Sequence, residues 1–128
     1  MANVTNIRDE LLGVWKLVHS KSTSDDGKES FPLGSDAVGY IHYSETGVMA
    51  VQISRKNHGV EVKSSDYLAY FGRYEIDQER CVIKHFLEGQ LFTGQFASLE
   101  ERRYELKGNQ LSLRPVGHSK HEILWERA

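Results

Sequence analysis

The sequence predicts an all-β fold: one eight-stranded, up-and-down antiparallel β-barrel preceded by a short helix. Three observations carry that prediction. Short segments alternate apolar and polar side chains along most of the chain, as strands with one buried face do. Glycine-bearing turns such as Glu45-Thr46-Gly47 and Lys107-Gly108-Asn109 separate these segments. Gly13-x-Trp15 opens the first strand and Trp125-x-Arg127 closes the last. A Trp at one end of the sheet and an Arg at the other can meet only if the sheet curls until its ends pair.

The elements follow in order. Residues 5–12 read as a helix, with Thr5 as its cap and Ile7, Leu11 and Leu12 on its apolar side, placed to plug one end of a barrel. The first strand runs from about Val14 to Ser20 and alternates Trp15, Leu17, His19 against Lys16, Val18, Ser20. Residues 21–34, rich in Ser, Asp and Gly, form a long loop anchored by Phe31-Pro32-Leu33, of a size that covers a barrel mouth. Ala37 to Tyr43 and Val48 to Ser54 make a hairpin about Ser44–Gly47. Residues 55–65 are irregular, and residues 65–71 suggest a helical turn or two. The fourth and fifth strands are Gly72 to Asp77 and Cys81 to Leu87. Residues 88–98, holding Gly89, Leu91, Phe92 and Gly94, form a second lid. The last three strands are Leu99 to Leu106, Gln110 to Pro115 and His121 to Arg127, the final turn passing through Gly117-His118-Ser119.

Apolar neighbours identify the inward face of each later strand. The inward sets are Gly72, Tyr74, Ile76; Cys81, Ile83, His85, Leu87; Arg102, Tyr104, Leu106; Leu111, Leu113; and His121, Ile123, Trp125, Arg127. The second and third strands stay ambiguous, because Val38, Tyr40, His42 face Ile41, Tyr43 and Val48, Ala50, Gln52 face Met49, Val51, Ile53. Met49 and Val51 would offer a homodimer face if their side points outward.

Bulk properties narrow the function. The 128 residues suit a single domain able to bury a core. Hydrophobic residues make up 39% and charged residues 27%, so the chain is not of disordered composition. The net charge of -2, with signs interspersed, leaves no basic stripe for nucleic acid. No apolar run is long enough for a membrane span. Residues 1–5 show no basic-then-apolar leader and Cys81 is the lone cysteine, which together give the expectation of a reducing, cytoplasmic compartment.

Several motifs resemble those of the lipocalin-like domain family, intracellular, bacterial and fungal relatives of the lipocalin barrel. They are Gly13-x-Trp15 with Leu17, Gly39-Tyr40-Ile41 with Tyr43, Gly47-Val48-Met49 and Tyr70-Phe71-Gly72-Arg73-Tyr74-Glu75-Ile76. His85, Arg102-Arg103-Tyr104-Glu105-Leu106, Gly108 to Leu113 and Leu124-Trp125-x-Arg127 continue the series. The resemblance implies a calycin-type barrel in which Trp15 packs beneath the sheet and Arg127 crosses it, both in structural roles. It permits either carriage of a small molecule or chemistry upon one.

The polar residues among the inward sets supply the candidate site. His85 and Arg102 lead it; a guanidinium in an apolar interior needs a hydrogen-bonding partner, solvent or an anion. Tyr74, Tyr104, Tyr40 and Gln52 add polar groups, with Phe31 and Phe92 on the two lids. Such a wall suits a largely apolar, aromatic or polyketide-like metabolite bearing a phenol, carbonyl or carboxylate, bound without a cofactor. The alternative is cofactor-free isomerase, cyclase or dehydratase chemistry of secondary metabolism. His85 would then act as acid or base, while Arg102 and Tyr74 would steady an oxyanion. A third outcome is a filled barrel in which His85 and Arg102 form a satisfied internal network. The six histidines predict no metal site: His118-x-x-His121 straddles a turn, and the others lie on separate strands. Cys81 reads as a small buried hydrophobe rather than a nucleophile.

Overall fold

Nine strands and one helix arise from this pattern in the computed structural model, which describes residues 6–118 and 120–128. The expected cap Thr5, the leader reading of residues 1–5 and the turn residue Ser119 lie outside the described residues. The elements are α1 (Ile7–Leu11), β1 (Gly13–Thr23), β2 (Glu29–Ser30), β3 (Val38–Tyr43), β4 (Val48–Ser54), β5 (Tyr67–Asp77), β6 (Val82–Gln90), β7 (Leu99–Lys107), β8 (Gln110–Pro115) and β9 (His121–Arg127). Every pairing is antiparallel, and β1 pairs with both β3 and β9, so β1 and β3–β9 close an eight-stranded barrel. The two-residue β2 is an appendage within the expected long loop, pairing with Ser22 and Thr23 at the end of β1.

Closure rests on the two end motifs. Trp15 and Arg127 are register partners across the β1–β9 seam. The Arg127 guanidinium carbon lies 4.0 Å from the Trp15 ring centroid, a cation–π contact worth about 0.5–2 kcal/mol. Arg127 also donates to the carbonyls of Leu12, at 2.6 Å, and Glu10, while the Trp15 indole N–H donates to the Leu11 carbonyl at 2.8 Å. These bonds satisfy carbonyls at the C-terminal end of α1 and seat that helix against the closed end. Asn6 caps α1, its side-chain oxygen accepting from the Arg8 N–H.

The interior resolves the ambiguous hairpin. Ile41 and Tyr43 on β3 and Met49, Val51 and Ile53 on β4 point inward and are buried. Met49 and Val51 therefore offer no dimer face; Val48, Ala50 and Gln52 are the outer set.

Four other expectations are corrected. Residues 67–71 are not helical but open β5, pairing residue for residue with β4 from Ser54↔Tyr67 to Ala50↔Phe71. Aromatic side chains on a pleated, half-buried surface favour that outcome. A bulge at Val18 shifts the β1 register between Leu17 and His19. Beyond it Ser20 and Ser22 turn inward, while His19 turns out to Glu122 on β9 at 2.9 Å. Cys81 is exposed rather than buried, because it sits in the turn after Gln78 at φ 55, before β6 begins. A second bulge, at Glu88 opposite the Phe71/Gly72 step, carries β6 on to Gln90. Gly72 makes that bend possible: a Cβ there would lie 1.8 Å from the Phe86 carbonyl oxygen.

The barrel fills unevenly. Its closed half holds Leu11, Trp15, Tyr43, Met49, Leu111 and Trp125, all at most 1% exposed. Polar residues gather towards the open end, where residues 24–37, 55–66 and 91–98 cross the rim. Among the described residues no helix is long and apolar enough to cross a membrane.

Candidate functional site

His85 lies in the middle of β6, register partner of Tyr74 on one side and Glu100 on the other. It is 1% exposed, and both ring nitrogens are engaged. Tyr43 Oη lies 2.6 Å from Nε2, and Tyr70 Oη lies 2.7 Å from Nδ1. A neutral imidazole has one N–H and one bare nitrogen, so one tyrosine accepts from the ring and the other donates to it. Burial, reinforced by the positive charge of Arg102, lowers the His85 pKa to about 3, so the ring is neutral at ordinary pH. Burial likewise raises Tyr43 well above the usual phenol range. It pushes Tyr70 up to about 12, with Arg102 pulling the other way.

Arg102 on β7 pairs in register with Ile83, diagonally from His85. Its side chain is 10% exposed, and Nη1 donates to Glu100 Oε2 at 3.2 Å and to the Glu101 carbonyl at 3.3 Å. The guanidinium also hydrogen-bonds the Tyr70 hydroxyl; with five N–H donors in a planar fork, it has donors beyond these three contacts. His121, at the open end of β9, accepts or donates at 2.7 Å to Ser22 Oγ, and burial followed by the charge of Arg102 lowers its pKa.

The sequence-derived candidates divide. His85 and Arg102 both face inward at diagonal register positions, near enough for the Arg102 charge to lower the His85 pKa. Tyr74 is buried, but its hydroxyl donates to the Ser44 carbonyl at 2.6 Å, in the turn at the closed end, and so serves that turn rather than an oxyanion beside His85. Tyr104 faces inward opposite Leu113 and packs half-buried on the core. Tyr40 and Gln52, register partners expected in the wall, stand on the outer face instead, because Ile41 and Val51 take the interior. Gln52 accepts there from the Tyr67 hydroxyl at 3.1 Å. Phe31 and Phe92 are half-buried, but the loop side chains that pack on the core are Leu33, Ala37 and Phe96. The Phe96 ring tilts over Tyr70 with centroids 5.1 Å apart.

Three members of the cluster escaped the sequence reading: Tyr43, Tyr70 and Glu100. Two of them share parity with a recognised inward residue, Tyr70 with Gly72 and Glu100 with Arg102, whereas Tyr43 lies on a strand whose faces the sequence leaves ambiguous. Extending the period-two count backwards along those strands would have found both.

Two grooves lie on the sheet away from His85 and Arg102, the second of them touching the cluster only at Tyr70. One of about 620 Å³ is lined by Cys81, Arg103, Glu105, Ser112 and Arg114 among others. Another, of about 360 Å³, lies over Ala50, Gln52, Phe71, Gly89 and Leu91. Among the described residues no three His, Cys, Asp or Glu side chains group as metal ligands would.

Comparison with known families agrees with this geometry: the family model described as a lipocalin-like domain matches residues 12–127. No curated protein matches the sequence.

Proposed function

We propose that this chain, which belongs to the lipocalin-like domain family, binds one small, largely apolar molecule through the open end of its barrel. The molecule would be a planar aromatic or polyketide-like metabolite whose oxygen-bearing end reaches Arg102. The observation that carries the reading is a guanidinium held on the inner face of the sheet, bonded to Glu100 and to Tyr70 of a Tyr43–His85–Tyr70 chain, with five donors of which these bonds use only part. Apolar side chains around it, Leu87, Phe96 and Ile123 among them, would supply affinity, and the few polar groups would set orientation.

The catalytic alternative, an isomerase, cyclase or dehydratase with His85 as acid or base, asks more of the imidazole. The ring is buried, both nitrogens are already bonded, and its pKa of about 3 makes it a weak base. Binding without conversion is therefore the better-supported reading.

The test is a tryptophan-fluorescence and thermal-shift titration of the full chain with planar aromatic probes, 2-naphthol, 2-naphthoate and 2-naphthamide. At least one probe should bind and raise Tm, and Arg102→Met should weaken the oxygen-bearing probes about tenfold. The loss of a charged hydrogen bond, about 1.5–3 kcal/mol, corresponds to that factor or more. No saturable binding by any probe, or affinities unchanged in Arg102→Met, would refute the reading. Loss of turnover in His85→Phe with the ligand still bound would favour the catalytic alternative.

A further inference from the structure

We propose that Glu100 is a built-in occupant of the Arg102 anion site: a carboxylate-bearing ligand displaces it, and the displacement loosens the strap of residues 91–98 that closes the mouth. This rests on the preceding reading that the ligand reaches Arg102, and it adds the ligand's acidic class and a coupling to the lid.

Glu100 and Arg102 are two residues apart on β7 and so share its inward face. Their contact is a poor version of a carboxylate–guanidinium pair. One oxygen meets one nitrogen at 3.2 Å, and that same Nη1 also serves the Glu101 carbonyl. Parallel, two-bond pairing at about 2.7–2.9 Å is the stronger arrangement, and an untethered ligand carboxylate is free to adopt it. Glu100 cannot share the site with a second anion without crowding two negative charges onto one buried cation, so binding is an exchange. The exchange is asymmetric: the Glu100 side chain, 21% exposed, has water within reach, whereas Arg102, 10% exposed, stays inside.

Glu100 also holds the strap. Its other oxygen, Oε1, accepts from the Ala97 N–H at 2.9 Å. One residue earlier, Phe96 is gripped at both backbone groups by the Gln90 amide. Its N–H donates to Gln90 Oε1 at 2.9 Å, and its carbonyl accepts from Gln90 Nε2 at 3.2 Å. The Phe96 ring covers Tyr70, whose hydroxyl meets His85. One carboxylate thus bridges the guanidinium and the strap, and it cannot leave the first without disturbing the second. Without a ligand, Glu100 neutralises Arg102 and keeps Phe96 over the mouth.

The experiment compares 2-naphthoate with the neutral 2-naphthamide by calorimetry, and follows hydrogen exchange of residues 91–98. Glu100→Gln removes the competing charge but keeps an oxygen for the Ala97 N–H. It should bind 2-naphthoate about tenfold tighter and 2-naphthamide within twofold of the wild type. In the wild-type chain 2-naphthoate should speed exchange in residues 91–98, and in Glu100→Gln it should not. An unchanged naphthoate-to-naphthamide ratio, or wild-type strap protection unaltered by bound naphthoate, would overturn the exchange while leaving the binding reading intact. Because the strap measurement uses the wild-type chain, poor folding of the variant would not spare the proposal. Failure of every probe with every variant would overturn both.

Discussion

Replacing His85 with Phe removes the ring nitrogens but keeps a ring in the space. Tyr43 and Tyr70, 0% and 6% exposed, would each lose the imidazole bond made at 2.6 or 2.7 Å. A buried hydroxyl left without its partner costs about 1–3 kcal/mol; with Tyr70 still beside Arg102, we expect His85→Phe to cost about 2–5 kcal/mol. Adding Tyr43→Phe removes one stranded hydroxyl, so the double variant should be more stable than His85→Phe alone. Acid provides a second reading of the same group. The pKa of His85 is depressed in the fold to about 3 from an unfolded value near 6.5. The unfolded chain therefore takes up the proton first. The contribution is present above about pH 6.5 and is lost as pH falls towards 3, by about 2 kcal/mol at pH 5. Urea unfolding followed by tryptophan fluorescence at pH 7, 6 and 5 measures both effects. The stability gap between wild type and His85→Phe should narrow by about that amount across the series. A loss below about 1 kcal/mol at pH 7, or a gap that stays constant with pH, would refute the claim that His85 is a neutral ring bonded at both nitrogens.

Three further expectations follow from other parts of the barrel. Gly72→Ala places a Cβ 1.8 Å from the Phe86 carbonyl oxygen and should destabilise by more than about 3 kcal/mol or prevent folding, as circular dichroism melting would record. Arg127→Met removes the guanidinium from the Trp15 face and from the carbonyls of Leu12 and Glu10; a loss of about 1–2 kcal/mol is expected in urea unfolding, with Trp15 emission altered. Glu122 ties β9 to His19 on β1 and to Ser112 and Arg114 on β8. Burial would raise its pKa, but the bonds from His19 and Ser112, together with Arg114, outweigh it and hold the pKa below the usual value. Its contribution is present above the ordinary carboxylate range and lost as pH falls through the lowered value, so the melting temperature of Glu122→Gln should depend less on pH below about 4.5.

The sequence on its own determined the architecture and much of the inner face. Closure was legible because Gly13-x-Trp15 and Trp125-x-Arg127 have no common purpose in an open sheet. On the later strands one parity is plainly apolar, and Gly72, Tyr74, Ile83, His85, Arg102, Leu111 and Trp125 were readable as inward by counting in twos. Only the tertiary structure decided the rest. On β3 and β4 both parities carry large side chains, so a local pattern cannot say that Tyr43 faces in and Tyr40 out; pairing with β1 and β5 decides it. Bulges at Val18 and Glu88 insert one residue and reverse the count, which sends His19 out and brings Ser20 and Gln90 in. The partners of His85 come from strands 42 and 15 residues away in sequence, and the Glu100 carboxylate acquires meaning only when the 91–98 strap folds back on it. Alternation is a property of one strand, whereas register, bulges and hydrogen-bond partners are properties of the closed sheet.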